Sequence, residues 1–175
     1  EQIFVSTKSE KSREKLEKKY GVLGLKNNID VAKYADILIL AVKPYMYKEV
    51  LAEIKAALRK DQIIISIAAG IDLSDLHEMI GKDFKIVKTM PNTPALVGEG
   101  MSAICPNENI NKIELDYICK MFEVFGKYEI LDEKDFHAFI ALCGSSPAYV
   151  FMFIEAMADA AVKLGISRNK AYKMA

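Results

Sequence analysis

Cysteine and histidine are scarce in this sequence, and neither sign of charge is in excess. The three cysteines, Cys105, Cys119 and Cys143, lie far apart without a CxxC pairing, and His77 and His137 are the only histidines. An odd, scattered set of thiols excludes a disulfide framework and fits a reduced, cytoplasmic protein. The same scarcity argues against a His/Cys metal site, so no metal is expected. With 24 basic and 24 acidic residues the formal charge is zero, which gives no footing for nucleic acid or an anionic membrane surface. No signal-peptide pattern opens the chain. The longest apolar run is interrupted by Glu155 and Asp159, which makes a bilayer span unexpected. Internal repeats and low-complexity segments are absent as well.

What is present is an alternation of short apolar runs and amphipathic stretches. Ile3–Val5, Ile37–Val42, Ile63–Ile67 and Lys85–Thr89 read as strands, the second and third apolar on both faces as central parallel strands are. Between them, Ser9 or Ser12 caps a charged helix stopped by Gly21, Val31–Tyr34 makes a short helix, and Val50, Leu51, Ile54 and Leu58 share a helical stripe. Leu73, Leu76 and Ile80 mark another. This order predicts a parallel sheet with helices on both faces. Met101–Cys105 and Lys127–Ile130 are two further strands around a helix with Leu115, Ile118, Phe122 and Phe125 on one side. Asp132 then caps a helix bearing Phe136, Phe139, Ile140 and Cys143, and the reading divides the chain near Leu131, into residues 1–131 and 132–175.

The last long element, Ser146–Leu164, is apolar nearly all round apart from the stripe Glu155, Asp159 and Lys163, which reads as a row of helical ion pairs. Gly144-Ser145-Ser146-Pro147 reads as its turn, with Ser146 as cap and Pro147 in the first turn, and Gly165 as its stop. Such a helix expects cover, and too little chain follows it. Phe151, Ile154, Met157 and Ala158 are therefore expected to lie under other helices, a partner's among them.

In open parallel sheets ligands bind beyond the carboxyl ends of the strands. Four such ends are small or polar here: Ser6-Thr7-Lys8, Ala41-Val42-Lys43-Pro44, Ala68-Ala69-Gly70 and Met90-Pro91-Asn92-Thr93-Pro94. Each alone reads more readily as an ordinary turn; four at one sheet edge point to a nucleotide. NAD-preferring folds carry an acid after the second strand for the ribose hydroxyl. Here Ser6, Thr7 and Lys8, followed by Lys11 and Arg13, suit a 2′-phosphate as well as they suit a solvated basic helix start; NADP is expected over NAD, with NAD the alternative. The glycine-rich GxGxxG turn, which belongs before this strand, is not in the sequence, and the first residue is Glu1; the chain is expected to be a fragment lacking the first β-α unit. His77, His137 and the cysteines read as boundary or core residues, and Tyr45, Tyr47 and Tyr149 as residues packed at element starts.

The stretches ADILILAVKP, IISIAAGI, IVKTMPNTPALVGEGMSAICPN and GSSPAYVFMFIEAMADAAVKLG run in order over almost the whole chain, and in them the sequence resembles the pyrroline-5-carboxylate reductase family. The resemblance implies an α/β fold: a Rossmann-type NADP-binding domain, then the start of an all-α domain that interlocks with a second subunit. It implies that Ser6, Thr7 and Lys8 face the adenosine 2′-phosphate end and that Asn28 and Ala41, Val42, Lys43 and Pro44 contact the cofactor. Ala68, Ala69 and Gly70 would lie along the dinucleotide, with Asn92, Thr93 and Pro94 near the nicotinamide. Gly144, Ser145, Ser146, Pro147 and Tyr149 would form the substrate cleft. The implied reaction is hydride transfer to the C=N carbon of 1-pyrroline-5-carboxylate, giving L-proline, in a cytoplasmic homo-oligomer. A relative acting on another imine or a β-hydroxyacid, or a truncated dimerising protein without activity, are the alternatives. The family's substrate-carboxylate loop, a Ser-Pro-Gly-Gly-Thr-like segment, would lie past Ala175, so this chain by itself is expected to bind cofactor poorly and turn over little.

Overall fold

A computed structural model describes residues 2–175. Strands and helices alternate as β1 (Phe4–Val5), α1 (Glu10–Tyr20), β2 (Leu23–Gly24), α2 (Asn28–Tyr34), β3 (Ile37–Leu40), α3 (Tyr47–Ile54), β4 (Ile63–Ser66), α4 (Leu73–Ile80) and β5 (Lys85–Pro91). Then follow β6 (Gly100–Pro106), α5 (Lys112–Glu123), β7 (Gly126–Ile130), the short α6 (Phe136–Phe139), α7 (Ser146–Lys163) and α8 (Arg168–Met174). The helix starts are set by local chemistry. Ser9 caps α1 through the Ser12 N–H at 3.2 Å, and Asn27 caps α2 through the Asp30 N–H at 2.8 Å. Each takes up a backbone donor that a helix end leaves unpaired.

Five strands form one sheet in the order β3-β4-β5-β6-β7, and β1 and β2 pair separately. All pairs are parallel except β5 with β6. Period-2 alternation in β4 divides the core: Ile64 joins Leu38, Leu40, Leu51, Ile54, Leu76, Ile80 and Ile86 under α3 and α4. Ile63 and Ile65 face the other way, with Val87, Ile104, Ile118 and Phe122 under α5. Phe136 and Phe139 of α6 lie against Ala103 and Cys105 of β6. Where β6 and β7 begin, Gly100 and Gly126 are in register, and a Cβ on Gly126 would come 2.2 Å from the Gly100 carbonyl oxygen; no larger residue fits there.

Three expectations are corrected. First, β3 is not central: it pairs only with β4, and Ile39 is 48% exposed. Its other side faces a cavity shared with β1, so a strand apolar on both faces stands at an edge. Second, Gly144–Pro147 is not a turn. The helical course runs from Glu133 to Lys163, through a π turn at Ile140–Ser145. Ser146 has helical backbone angles, and its hydroxyl bonds back to the Leu142 carbonyl instead of capping α7. Joining the two segments puts nineteen residues, 136–154, ahead of Glu155 with His137 as the one strongly polar side chain. This 31-residue helix, with an 18-residue window of mean hydropathy 1.5, is long and apolar enough by length and composition to cross a membrane, contrary to the sequence reading. Third, Asp159 pairs with Arg168 of α8 and not with Lys163. Of the residues expected under cover, Ala158 is fully buried, Ile154 is half-buried, and Phe151 and Met157 are 60% and 38% exposed within the chain.

Glu114 joins helix and sheet. Its carboxylate accepts from the Asn111 N–H in a capping box and from Lys85 Nζ of β5 at 2.5 Å. Burial disfavours its ionised form, but the Lys85 and Asn111 bonds outweigh that and hold its pKa below the ordinary value. A group depressed in the folded state contributes stability above its unfolded pKa, and loses it as pH falls through the folded value. Glu114→Gln is therefore expected to flatten the fall of the urea midpoint between about pH 5 and pH 3. An acid limb as steep as that of the parent protein would disprove the link.

Candidate functional site

The carboxyl ends of β1 and β3 face each other across a cavity of about 160 Å³ lined by Ser6, Asn28, Ile39, Ala41, Val42 and Val50, among others. The Ser6 hydroxyl donates to Asn28 Oδ1 at 2.5 Å, and Asn28 Nδ2 donates to Glu53 Oε2 of α3 at 2.8 Å. A short relay thus holds the polar ends of β1 and α2 against α3. Thr7 turns its hydroxyl to the Ser9 carbonyl at 2.8 Å, and Lys8 is exposed beside it. Hydroxyls and a cation without a carboxylate at this strand end suit a phosphate better than a ribose diol.

Beyond β3 the chain turns at Lys43-Pro44 into a 3₁₀ turn, Pro44–Met46. Tyr47 anchors that turn from inside. Its hydroxyl donates to the Leu40 carbonyl at 2.8 Å and lies 3.0 Å from Ser66 Oγ, so one phenol ties together the ends of β3 and β4. Burial raises its pKa, against the bonds from Ser66 and the backbone, which leaves it neutral at physiological pH. Lys43 and Pro44 stay exposed above it.

Ala68, Ala69 and Gly70 line a second cavity, about 270 Å³, with Asp72, Lys88, Met90, Glu133, Phe136, His137 and Ile140. Lys88 is 5% exposed. It reaches Asp72 Oδ1 at 2.5 Å and Glu133 Oε1 at 3.0 Å, and sits 4.7 Å from the centre of the Phe136 ring. Burial would lower its pKa; the two carboxylates outweigh burial and raise it. Glu133 also accepts from the Leu73 N–H at the start of α4 at 2.7 Å, where Asp72 and Asp75 form a capping box. This junction was missed in the sequence. Its signal was there: a lysine at the inward position next to Ile86 in a buried strand must have partners.

The loop after β5 winds into a 3₁₀ turn at Thr93–Val97. Asn92 Nδ2 donates to the Cys143 carbonyl at 3.0 Å, and its Oδ1 accepts from the Met101 N–H at 2.9 Å. Thr93 is exposed and Pro94 half-buried. Asn92 thereby holds the loop against the stretch of helix that carries Gly144, Ser145, Ser146 and Pro147, all half-buried, and the exposed Tyr149. The structure gathers Ser6, Asn28, Ala41 and Val42 at one cavity and Ala68, Ala69 and Gly70 at another. Thr7, Lys8, Lys43, Pro44, Asn92, Thr93, Pro94 and the Gly144–Tyr149 residues line neither cavity. His77 reaches Asn107 at 3.3 Å, and Cys105 and Cys119 are buried. Among the described residues no cluster of His, Cys, Asp and Glu could hold a metal ion.

Against this geometry stand the likenesses to known proteins. A family model described as pyrroline-5-carboxylate reductase dimerisation matches residues 133–175, and one described as NADP oxidoreductase, coenzyme F420-dependent, matches residues 1–70. The chain is 44% identical to the pyrroline-5-carboxylate reductase of Escherichia coli (strain K12) over 174 residues, 99% of its own length and 65% of the relative's. The Arabidopsis thaliana enzyme of the same name is 37% identical over 99% of the chain and 62% of the relative. Over nearly its whole length the chain is similar to members of the pyrroline-5-carboxylate reductase family. Among solved structures of this family, the Plasmodium falciparum reductase with NADP bound superposes with a TM-score of 0.88 at 37% identity, over 98% of this chain and 62% of that one. The Coxiella burnetii reductase gives 0.91 at 32% identity, over 98% and 64%. The prephenate dehydrogenase of Aquifex aeolicus, 16% identical with a TM-score of 0.66 over 89% of this chain and 62% of that one, shares the fold alone. The fold is thus that of the reductase family, a Rossmann-type α/β sheet leading into a helical region. The chain spans a little under two thirds of these family members.

The ion triad can be tested directly. Taking both carboxylates away leaves a buried ammonium uncompensated, whereas taking the ammonium away leaves two carboxylates that water can reach. Asp72→Asn/Glu133→Gln is expected to cost about 3 kcal/mol in urea unfolding and Lys88→Met distinctly less. The reverse order would overturn this account of the junction.

Proposed function

We propose that this chain is part of a reductase that converts 1-pyrroline-5-carboxylate to L-proline with NADPH, the closing reaction of proline synthesis. The observation that carries this reading is an identity of 44% running through both the sheet and the helical region. In this reading residues 1–131 are the NADP-binding domain and 132–175 begin the dimerisation domain. The exposed Lys8, with Ser6 and Thr7 beside it, meets the adenosine 2′-phosphate; the lack of a carboxylate at the end of β1 supports that phosphate over a free hydroxyl. Asn28 and the Ala41–Pro44 turn border the cofactor, Lys43 near its nicotinamide side. Ala68, Ala69 and Gly70 give small, close backbone along the dinucleotide, and Asn92, Thr93 and Pro94 flank the nicotinamide.

When bound, the reduced nicotinamide supplies the hydride that adds to the C=N carbon. The chain's part is alignment: small residues at the strand ends admit the two reactants face to face, and Gly144, Ser145, Ser146, Pro147 and Tyr149 wall the imine from the helical side. If the substrate arrives as its protonated iminium, no general acid is required of these residues. The protein is read as cytoplasmic, in keeping with three free thiols.

The partner of α7 is read as a second copy of the chain. Val150, Phe151, Met152 and Phe153 are all more than half exposed, a patch beyond what a monomer ordinarily presents. Glu155 and Asp159 follow within two turns, where a bilayer core would meet charge and a helical partner would let it reach water.

Two outcomes are expected. Spectrophotometric NADPH oxidation with 1-pyrroline-5-carboxylate should exceed NADH oxidation at equal concentration, and Lys8→Ala should raise the KM for NADPH about 10-fold while leaving NADH nearly unchanged. Equal use of both nucleotides would sink the 2′-phosphate reading. Sedimentation in detergent-free buffer should give a dimer or larger, and Phe151→Asp should shift it to monomer; a parent protein that sediments as monomer contradicts the partner reading.

A further inference from the structure

Pro147 lies four residues after Cys143, within a helical course that does not stop. In an α-helix the Cys143 carbonyl would accept from the N–H of residue 147, and proline has none. An uncompensated proline inside a helix removes one bond and crowds the preceding turn, and π turns are a common accommodation. Here the chain adopts one at Ile140–Ser145. The donor that Pro147 lacks comes from outside the helix: Asn92 Nδ2, at 3.0 Å from the Cys143 oxygen. The other end of the same amide accepts from the Met101 N–H at 2.9 Å.

The position of Asn92 makes this assignment of its side chain unusual. It is the residue before the Thr93–Val97 3₁₀ turn, with extended backbone angles of −113° and 171°, where an asparagine normally turns inward to cap. It makes no capping bond. Its amide is spent instead across 51 residues of sequence, joining the end of β5 to the helical region while also holding the first residues of β6. We infer that Asn92 is a positioning residue: it stands in for the hydrogen-bond donor missing at Pro147 and so sets the gap between the Thr93-Pro94 loop and the Gly144–Tyr149 stretch of the helix. The structural part of this stands on the bonds alone. Its consequence for catalysis rests on the reductase reading above, in which that gap is the cleft for the imine.

A double-mutant cycle on the 175-residue chain, read by hydrogen exchange, separates the two. In Asn92→Asp at neutral pH the carboxylate still accepts from Met101 but cannot donate to Cys143. Amides of residues 142–150 are expected to exchange about 10-fold faster, the worth of one hydrogen bond, with Met101 and β4 unchanged. Pro147→Ala restores an N–H at 147. In that background Asn92→Ala should accelerate residues 142–150 by less than about 3-fold, against about 10-fold in the parent. Unchanged exchange at 142–150 in Asn92→Asp, or equal effects of Asn92→Ala in both backgrounds, overturns the inference. If Asn92→Ala does not fold, rescue by Pro147→Ala supports the inference and failure of rescue overturns it. In an active oligomer, Asn92→Asp should lower kcat, and Pro147→Ala should reduce the kcat lost on Asn92→Ala. A protein without reductase activity refutes the proposed function and leaves the exchange result standing; exchange without coupling refutes the positioning role whatever the activity.

Discussion

A single buried ammonium organises the middle of this molecule. Lys88 points from the third strand of the sheet into the space between α4 and α6 and is only 5% exposed there. A charge in that position has to be matched, and it is matched from two directions: by Asp72, which opens α4, and by Glu133, which opens the helical region. Because Glu133 also takes the Leu73 N–H, the C-terminal helices are fixed at their first turn to the same helix start that follows Ala68-Ala69-Gly70. The demand of one charge for partners thereby sets how the helical region meets the sheet edge where ligands of such folds bind.

Four residues further on, the end of β5 makes the second tie through Asn92. Lys88 holds the start of the helical region and Asn92 holds its π turn, so one strand carries both attachments. From that turn α7 extends with little else of the chain to cover it. Its helical course is apolar enough to resemble a membrane span, because the structure joins residues 136–145 to α7 without a break. The charged side chains Glu155 and Asp159, and the match of residues 133–175 to a dimerisation model, favour a protein partner for the exposed face.

Much of the sheet was legible in the sequence for simple reasons. Runs such as Ile63–Ile67 and ILILAV have no other stable home than a strand, and a capping residue such as Ser9 marks a helix start by a chemistry that needs only its own neighbours; the caps Asn27 and Asn111 went unread. The small and polar strand ends were equally readable. Ser146-Pro147 misled because the same two residues that begin a helix can sit inside one, provided that a distant donor replaces the bond proline removes. No local pattern announces that donor.

The sequence by itself determined most of the elements, though not β2 or α8, with their order and the side of each that is apolar, since these follow from periodicities of two and 3.6 residues and from caps within a few positions. It also carried the resemblance to the reductase family, through stretches long enough to be specific. Only the tertiary structure decided that β3 stands at an edge, that Glu133 and Asp72 share Lys88, that Asp159 turns to Arg168 and not Lys163, and that Asn92 answers Pro147. Each of these depends on which groups meet across 9 to 51 residues of chain, and a buried charge or a missing donor specifies that a partner must exist without naming it.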